Sequence, residues 1–198
     1  MTDGQAHTIR IFGHGASGKS TLAQEICNLR PAETVNLLET DPYILKNDSR
    51  SLVVPKDFPS QKVTASLPAA HELNSLARDI RMLQLGMDVM TIEGPWAPSQ
   101  LLRGDKPLLI VEGMSTAFLK PDMFDLSIAC FTDSETELER RLGRDILDRG
   151  RDLTFVKETH AIRRQQYEMY LQPFLNQAHI LVDQTKNGFS AQFVEQQR

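Results

Sequence analysis

Residues 8–27 confine this chain to a narrow set of architectures. Thr8-Ile9-Arg10-Ile11-Phe12 reads as a strand, Gly13-His14-Gly15-Ala16-Ser17-Gly18-Lys19-Ser20 is a complete G-x-x-x-x-G-K-S loop, and the segment from Thr21 to Cys27 reads as a helix. Glycines at 13, 15 and 18 allow the backbone N–H groups of Ala16, Ser17 and their neighbours to close on phosphate oxygens without side-chain clash. The helix that begins around Ser20 and Thr21 points its positive end at the same place. Lys19 can reach β- and γ-phosphates, and the Ser20 hydroxyl can ligand Mg²⁺. An ordinary glycine turn would not need Lys and Ser in that order, and the four fixed positions match by accident in only about one chain of this length in a hundred. The loop reads as a nucleoside triphosphate site.

The rest of the chain alternates in a way that suits a parallel sheet. Apolar runs at 8–12, 34–38, 108–111, 126–131 and 179–182 predict strands, and periodic patterns at 21–30, 68–85, 134–147 and 155–175 predict helices. Such alternation predicts an α/β domain with helices on both sheet faces. Pro68 suits a first helical turn, followed by an apolar stripe at Leu73, Leu76, Ile80 and Leu83. Ser134-Glu135-Thr136-Glu137 has the form of a capping box. Residues 41–67 are rich in Asp, Pro, Ser and Lys, and 86–107 carry Gly86, Gly94, Pro95, Pro98, Gly104 and Pro107, so both read as irregular. In this topology both fall near the phosphate loop, at the C-terminal edge of the sheet where α/β folds bind ligands.

Composition narrows the partners. The 198 residues fit one domain, and a net charge of −4 argues against nucleic acid. No apolar run reaches the ~20 residues of a membrane span, and no signal-peptide pattern is present, so a cytoplasmic location is expected. Cys27 and Cys130 read as two buried thiols, and the five histidines lack metal-ligand spacing.

Phosphoryl transfer also needs a metal ligand, an acceptor base and cations to offset charge. Leu108-Leu109-Ile110-Val111-Glu112-Gly113 is an apolar strand ending in a carboxylate, which places Glu112 to hold Mg²⁺; a plain strand-end acid is the alternative. Asp41, in Thr40-Asp41-Pro42-Tyr43, could accept a hydroxyl proton, and an Asp-Pro turn explains the same residues equally well. Tyr43 and Trp96 are candidate acceptor contacts, with core packing the alternative for each. Arg140, Arg141, Arg144, Arg149 and Arg151 fall within twelve residues. They suit a segment that closes over phosphates, or a solvated helix with pairs such as Arg141 with Asp145.

Together these residues resemble the uridine kinase/phosphoribulokinase family over roughly residues 8–184. The phosphate loop, Thr40-Asp41-Pro42-Tyr43, Val111-Glu112-Gly113 and the segment from Arg140 to Asp152 fall in family order, the last closely similar to the uridine kinase lid. The resemblance implies a P-loop three-layer sandwich with a five-stranded parallel sheet in the order 2-3-1-4-5. It implies one domain over 1–198, an Arg-rich lid at about 143–160 and an acceptor-side insertion at about 86–107. It implies ATP as donor, Mg²⁺, a small-molecule hydroxyl acceptor with uridine or cytidine foremost, and homo-oligomers as in many uridine kinases. By the same likeness Asp41 is the base, Lys19 and the lid arginines (Arg151 among them) stabilise the moving phosphoryl group, Arg144 and Arg149 face ATP, and Arg141 and Arg151 face the acceptor. Two departures stand out. Ser66-Leu67-Pro68 replaces the family's Asp-His-Pro, and 92–99 lacks the Tyr and His that contact the pyrimidine. A nucleotide switch or ATPase acting on a protein is the competing class, but no Asn-Lys-x-Asp element follows a late strand.

Overall fold

The computed structural model describes residues 7–94, 97–146, 150, 152–186 and 188–194. From the N-terminus, β1 (His7–Gly13) enters the glycine loop, α1 (Lys19–Asn28) leaves it, and β2 (Val35–Glu39) returns to the sheet. A one-turn α2 (Asn47–Arg50) interrupts a long irregular stretch before α3 (Leu73–Gln84). The short antiparallel pair β3 (Val89–Met90) and β4 (Leu101–Leu102) precedes β5 (Leu108–Glu112) and β6 (Leu126–Phe131). Then come α4 (Ser134–Arg141), α5 (Leu153–Gln166), β7 (Ile180–Asp183) and β8 (Ser190–Phe193).

The main sheet runs β2-β5-β1-β6-β7-β8. Its first five strands are parallel and stand in the expected order, with β3 and β4 forming their own small sheet. The sheet nevertheless has six strands instead of five, because β8 folds back antiparallel on β7. Its four residues, Ser190 to Phe193, are too short a run to announce a strand, and all four stay exposed, so it is held by backbone pairing at the sheet edge and not by burial.

Period-2 alternation sorts the strand residues between two helical layers. Ile11, Ile110, Ile128 and Cys130 face α1 with Ala23, while Leu38, Leu109 and Val111 pack with Leu76, Ile80 and Leu83 of α3. On that second side, Phe12 and Ala129 meet Tyr167 and Leu171 beyond α5. The central strand also carries a fully buried Arg10. Its Nε donates to Ser127 Oγ at 2.8 Å, Nη1 reaches the carbonyls of Thr116 and Leu119, and Nη2 reaches that of Gln177. Burial draws this guanidinium down to about 10.

Helix boundaries differ from the sequence reading for local reasons. Pro68 opens a separate 3₁₀ turn, Pro68–Ala70, and α3 starts only at Leu73. His71 is extended and bridges Ile44, with Leu45 N–H on Ala70 O and Glu72 N–H on Tyr43 O, so residues 70–72 pair instead of coiling. The cap of α4 is Asp133, whose carboxylate accepts from Thr136 N–H at 2.7 Å, not Ser134. The helix predicted over 134–147 passes into a π turn, Leu142–Ile146. The one predicted over 155–175 begins at Leu153 and loosens into a π turn, Tyr167–Leu171, then a 3₁₀ stretch, Gln172–Gln177, where Pro173 lacks the amide an α-helix needs. The segment 86–107, expected to be irregular, contains the β3–β4 pair. Cys130 is buried as expected, but Cys27 is only half-buried, and both are free thiols. Among the described residues no helix is long and apolar enough to cross a membrane.

Candidate active site

The glycine loop takes its shape where β1 meets β6. Gly13 has φ +152, and a Cβ there would strike the Cys130 carbonyl on the neighbouring strand, so the approach requires glycine. Ala16 follows in the left-handed region at φ +65, a conformation that costs about 1–3 kcal/mol and that the surrounding loop sustains. Gly18, at φ +85, starts α1 without a side-chain cap. The first-turn amides of that ten-residue helix are left for an anion, as the motif requires.

A cavity of about 620 Å³ opens on this loop. Its wall comprises Ala16, Gly18, Lys19, Ser20, Thr21, Glu39, Asp41, Ala97, Glu112, Arg140, Arg144 and Gln184. Lys19 Nζ lies 3.5 Å from Glu112 Oε1, with both side chains at most a tenth exposed. That same Oε1 has no hydrogen-bond partner among the described residues. A buried carboxylate oxygen without a donor, on one wall with the Ser20 hydroxyl, is a donor set suited to a hard divalent cation, so Ser20 and Glu112 fit Mg²⁺. Among the described residues no cluster of three or more His, Cys, Asp or Glu is arranged to hold a metal by itself.

Asp41 reaches the wall because β2 ends at Glu39 and turns at once into the 3₁₀ segment Asp41–Tyr43. Glu39 stands in register with Glu112 across the parallel pair. Burial, and then the charges of Glu112 and Asp41, push its carboxyl above the usual range. Lys19 thus shares the wall with three carboxylates, Glu39, Asp41 and Glu112, while Arg140 and Arg144 add positive charge to it. Arg144 donates through Nε to Asp145 Oδ1 at 2.9 Å, and Arg140 holds the loop itself, Nη1 on Ala16 O at 3.3 Å and Nη2 on Gln184 O at 2.6 Å.

The cavity thus gathers Ala16, Gly18, Lys19, Ser20, Thr21, Asp41, Glu112 and Arg144 from the sequence-derived set. Gly13, Gly15 and Ser17 lie within the loop. Tyr43 is not on the wall: it is 1% exposed in the core, and its hydroxyl donates to Asp79 Oδ2 at 2.6 Å. Burial and that hydrogen bond raise its phenol well above the ordinary range. Arg141 is likewise off the wall, paired with Glu137 at 2.8 Å and packed against Gly15. Trp96, Arg149 and Arg151 lie outside the described residues. Sequence reasoning passed over Glu39, Ala97 and Gln184 as wall residues, and placed Arg140 only within the basic run. Of the three passed over, Glu39 had a signal, sitting two residues from Asp41 at a strand end.

Two histidines flank the site as buried neutral groups. His14 donates from Nδ1 to Gly15 O at 2.9 Å and accepts at Nε2 from Thr132 N–H at 3.0 Å, which sets its tautomer. Ser115 Oγ lies 2.7 Å from His71 Nδ1, and His71 Nε2 lies 2.8 Å from Ala65 O. Burial lowers both rings to about 4. The unfolded chain takes up these protons near pH 6.5 and the native chain only near 4, so this share of stability is complete above 6.5 and is lost as pH falls toward 4. Urea midpoints should drop through that window, and His71→Asn should flatten the drop. An unchanged profile in the variant would rule His71 out as a contributor.

Comparison with known proteins agrees with this geometry. The model of the phosphoribulokinase/uridine kinase family matches residues 8–188. Uridine-cytidine kinase A of Dictyostelium discoideum is 29% identical over 191 residues, 92% of this chain but 37% of that protein, so the chain spans little more than a third of this relative's length. The uridine kinase of Clostridium tetani is 28% identical over 185 residues, covering 88% of this chain and 85% of that one. Among solved structures, D-glycerate 3-kinase from Cryptococcus neoformans superposes with a TM-score of 0.67 at 10% identity, over 96% of this chain and 90% of that one. A family model matched from the first strand to beyond the last parallel one, on a chain whose phosphate loop, Asp41 and Glu112 share one cavity, makes this protein a member of the phosphoribulokinase/uridine kinase family.

Proposed function

We propose that the protein is an ATP- and Mg²⁺-dependent kinase that transfers the γ-phosphate to a hydroxyl of a small nucleoside-like acceptor, with uridine or cytidine foremost. The observation that carries this reading is the sharing of one cavity by Lys19 at the loop, Glu112 beside it and Asp41 at the end of β2. Loop amides and Lys19 hold the triphosphate, Ser20 and Glu112 hold the metal, and Asp41 accepts the proton of the acceptor hydroxyl. Mg²⁺, when bound, offsets charge on the phosphates. Arg144 adds positive charge from the start of the lid, and Arg149 and Arg151 complete that role by family likeness.

A second acceptor class is favoured by a specific observation. Ser66 is buried where the family carries an acid, and Tyr43 is turned into the core. Both features weaken the case for a uridine pocket and admit another small alcohol, sugar-like or pantothenate-like. A coupled ADP-release assay across nucleosides, pentoses and pantothenate separates these readings. Stimulation by uridine or cytidine supports the first and stimulation only by another alcohol supports the second. No acceptor dependence, with hydrolysis driven by a protein partner, would replace both with an ATPase.

A further inference from the structure

A buried charged cluster centred on Glu137 lies against the phosphate loop, and no step of the proposed reaction uses it. Glu137 of α4 is 1% exposed. Its Oε1 accepts from Nε and Nη2 of Arg141, one turn further along, both at 2.8 Å. Its Oε2 faces Arg164 Nη1 of α5 at 3.3 Å and His14 Nδ1 of the loop at 3.4 Å. Arg164 also donates to Thr132 O at 3.1 Å and to Glu168 at 3.0 Å. His14 in turn packs edge-on against Tyr167, with centroids 4.7 Å apart.

The guanidinium of Arg141 fills the space beside Gly15 so closely that a methyl group on Gly15 would collide with it. One carboxylate thereby joins the loop, α4 and α5. Such a buried group is a weak source of net stability, because desolvation largely cancels the attraction. What it supplies is a fixed geometry. Arg141 ends α4, and the chain passes directly into the π turn that carries Arg144 to the cavity wall.

We propose that Glu137, Arg141 and His14 form a buried strut that holds the phosphate loop in its binding shape and ties it to the root of the lid. Arg141 is then a positioning residue for nucleotide, not a contact for the acceptor. The proposal rests on the reading above only in requiring that the loop bind nucleotide.

The sign of one substitution separates positioning from direct contact. If Arg141 bound phosphate itself, removing its counter-charge in Glu137→Gln would free the guanidinium and tighten binding. In a strut the same change weakens binding, by about tenfold, since small displacements of positioned groups are amplified at the ligand. Calorimetric titration of the full chain with MgADP, with thermal melting in parallel, reads this directly. The paired variant Glu137→Leu/Arg141→Met removes both charges and leaves Arg164 its Thr132 and Glu168 partners, so its melting point recovers toward wild type. Its MgADP affinity stays about tenfold low. Unchanged or tighter binding in Glu137→Gln, or binding within about twofold of wild type in the folded double variant, overturns the strut. Failure of the wild-type chain to bind MgADP overturns the nucleotide reading, and the strut with it.

Discussion

Asp41→Asn is expected to lower turnover by about 10²–10⁴-fold, the usual loss when a positioned base is removed. The substitution keeps size and shape and takes away only the carboxylate that the proposed mechanism uses as proton acceptor. Asp41 projects from a 3₁₀ turn onto the cavity wall, separate from the loop amides that hold phosphate, so ATP affinity should stay within about twofold. Initial rates at saturating acceptor, with nucleotide affinity measured by titration, distinguish the two quantities. Near-normal turnover would remove Asp41 from the role of base. Glu39, on the same wall with its carboxyl raised by burial and by the charges of Glu112 and Asp41, would then be the next group to replace.

Lys19→Ala is expected to act on both binding and chemistry. The ammonium is the only cation among the described residues paired with Glu112, at 3.5 Å. Its loss removes charge stabilisation of the moving phosphoryl group, worth about 10²–10³-fold in rate. It also leaves the Glu112 carboxylate buried without a counter-ion, which should cost up to about 3 kcal/mol of stability. A lowered melting point therefore accompanies lost ATP-dependent activity, and added MgATP should restore little of it. Lys19→Arg should not rescue, because a planar guanidinium does not replace a compact ammonium in so closed a site. Full activity in either variant would exclude Lys19 from phosphate binding.

The glycine loop, its strand and its helix were legible in the sequence because their geometry is local. Three glycines, one lysine and one serine at set spacing specify a backbone path, and little elsewhere can redirect it. The parallel strand order followed by family likeness, while Leu38, Leu109 and Val111 against Leu76, Ile80 and Leu83 followed from periodicity. Helix starts were less legible. Pro68 looked like the first turn of α3, but pairing of residues 70–72 with 43–45 captured those residues for extended structure. β8 was not legible because four exposed residues carry too little patterning to mark a strand that is held by backbone partners.

Arg141 and Tyr43 show where residue type stops being informative. An arginine in a basic run and a tyrosine two residues after Asp41 both suit substrate contact. Each is drawn inward by a buried carboxylate, Glu137 for one and Asp79 for the other. Each carboxylate lies on another turn or another helix, four residues away for Arg141 and thirty-six for Tyr43. His14 and Glu137 are separated by more than a hundred residues and meet only because β1 and the start of α4 converge at one edge of the sheet. The sequence by itself determined that this chain presents a triphosphate loop on a parallel sheet, because that loop is specified by adjacent residues. Only the tertiary structure decided which polar side chains face the cavity and which brace it from behind. A side chain's direction is set by whichever buried partner offsets its desolvation, and that partner can lie one helical turn away, as for Arg141, or in a distant part of the chain, as for Tyr43.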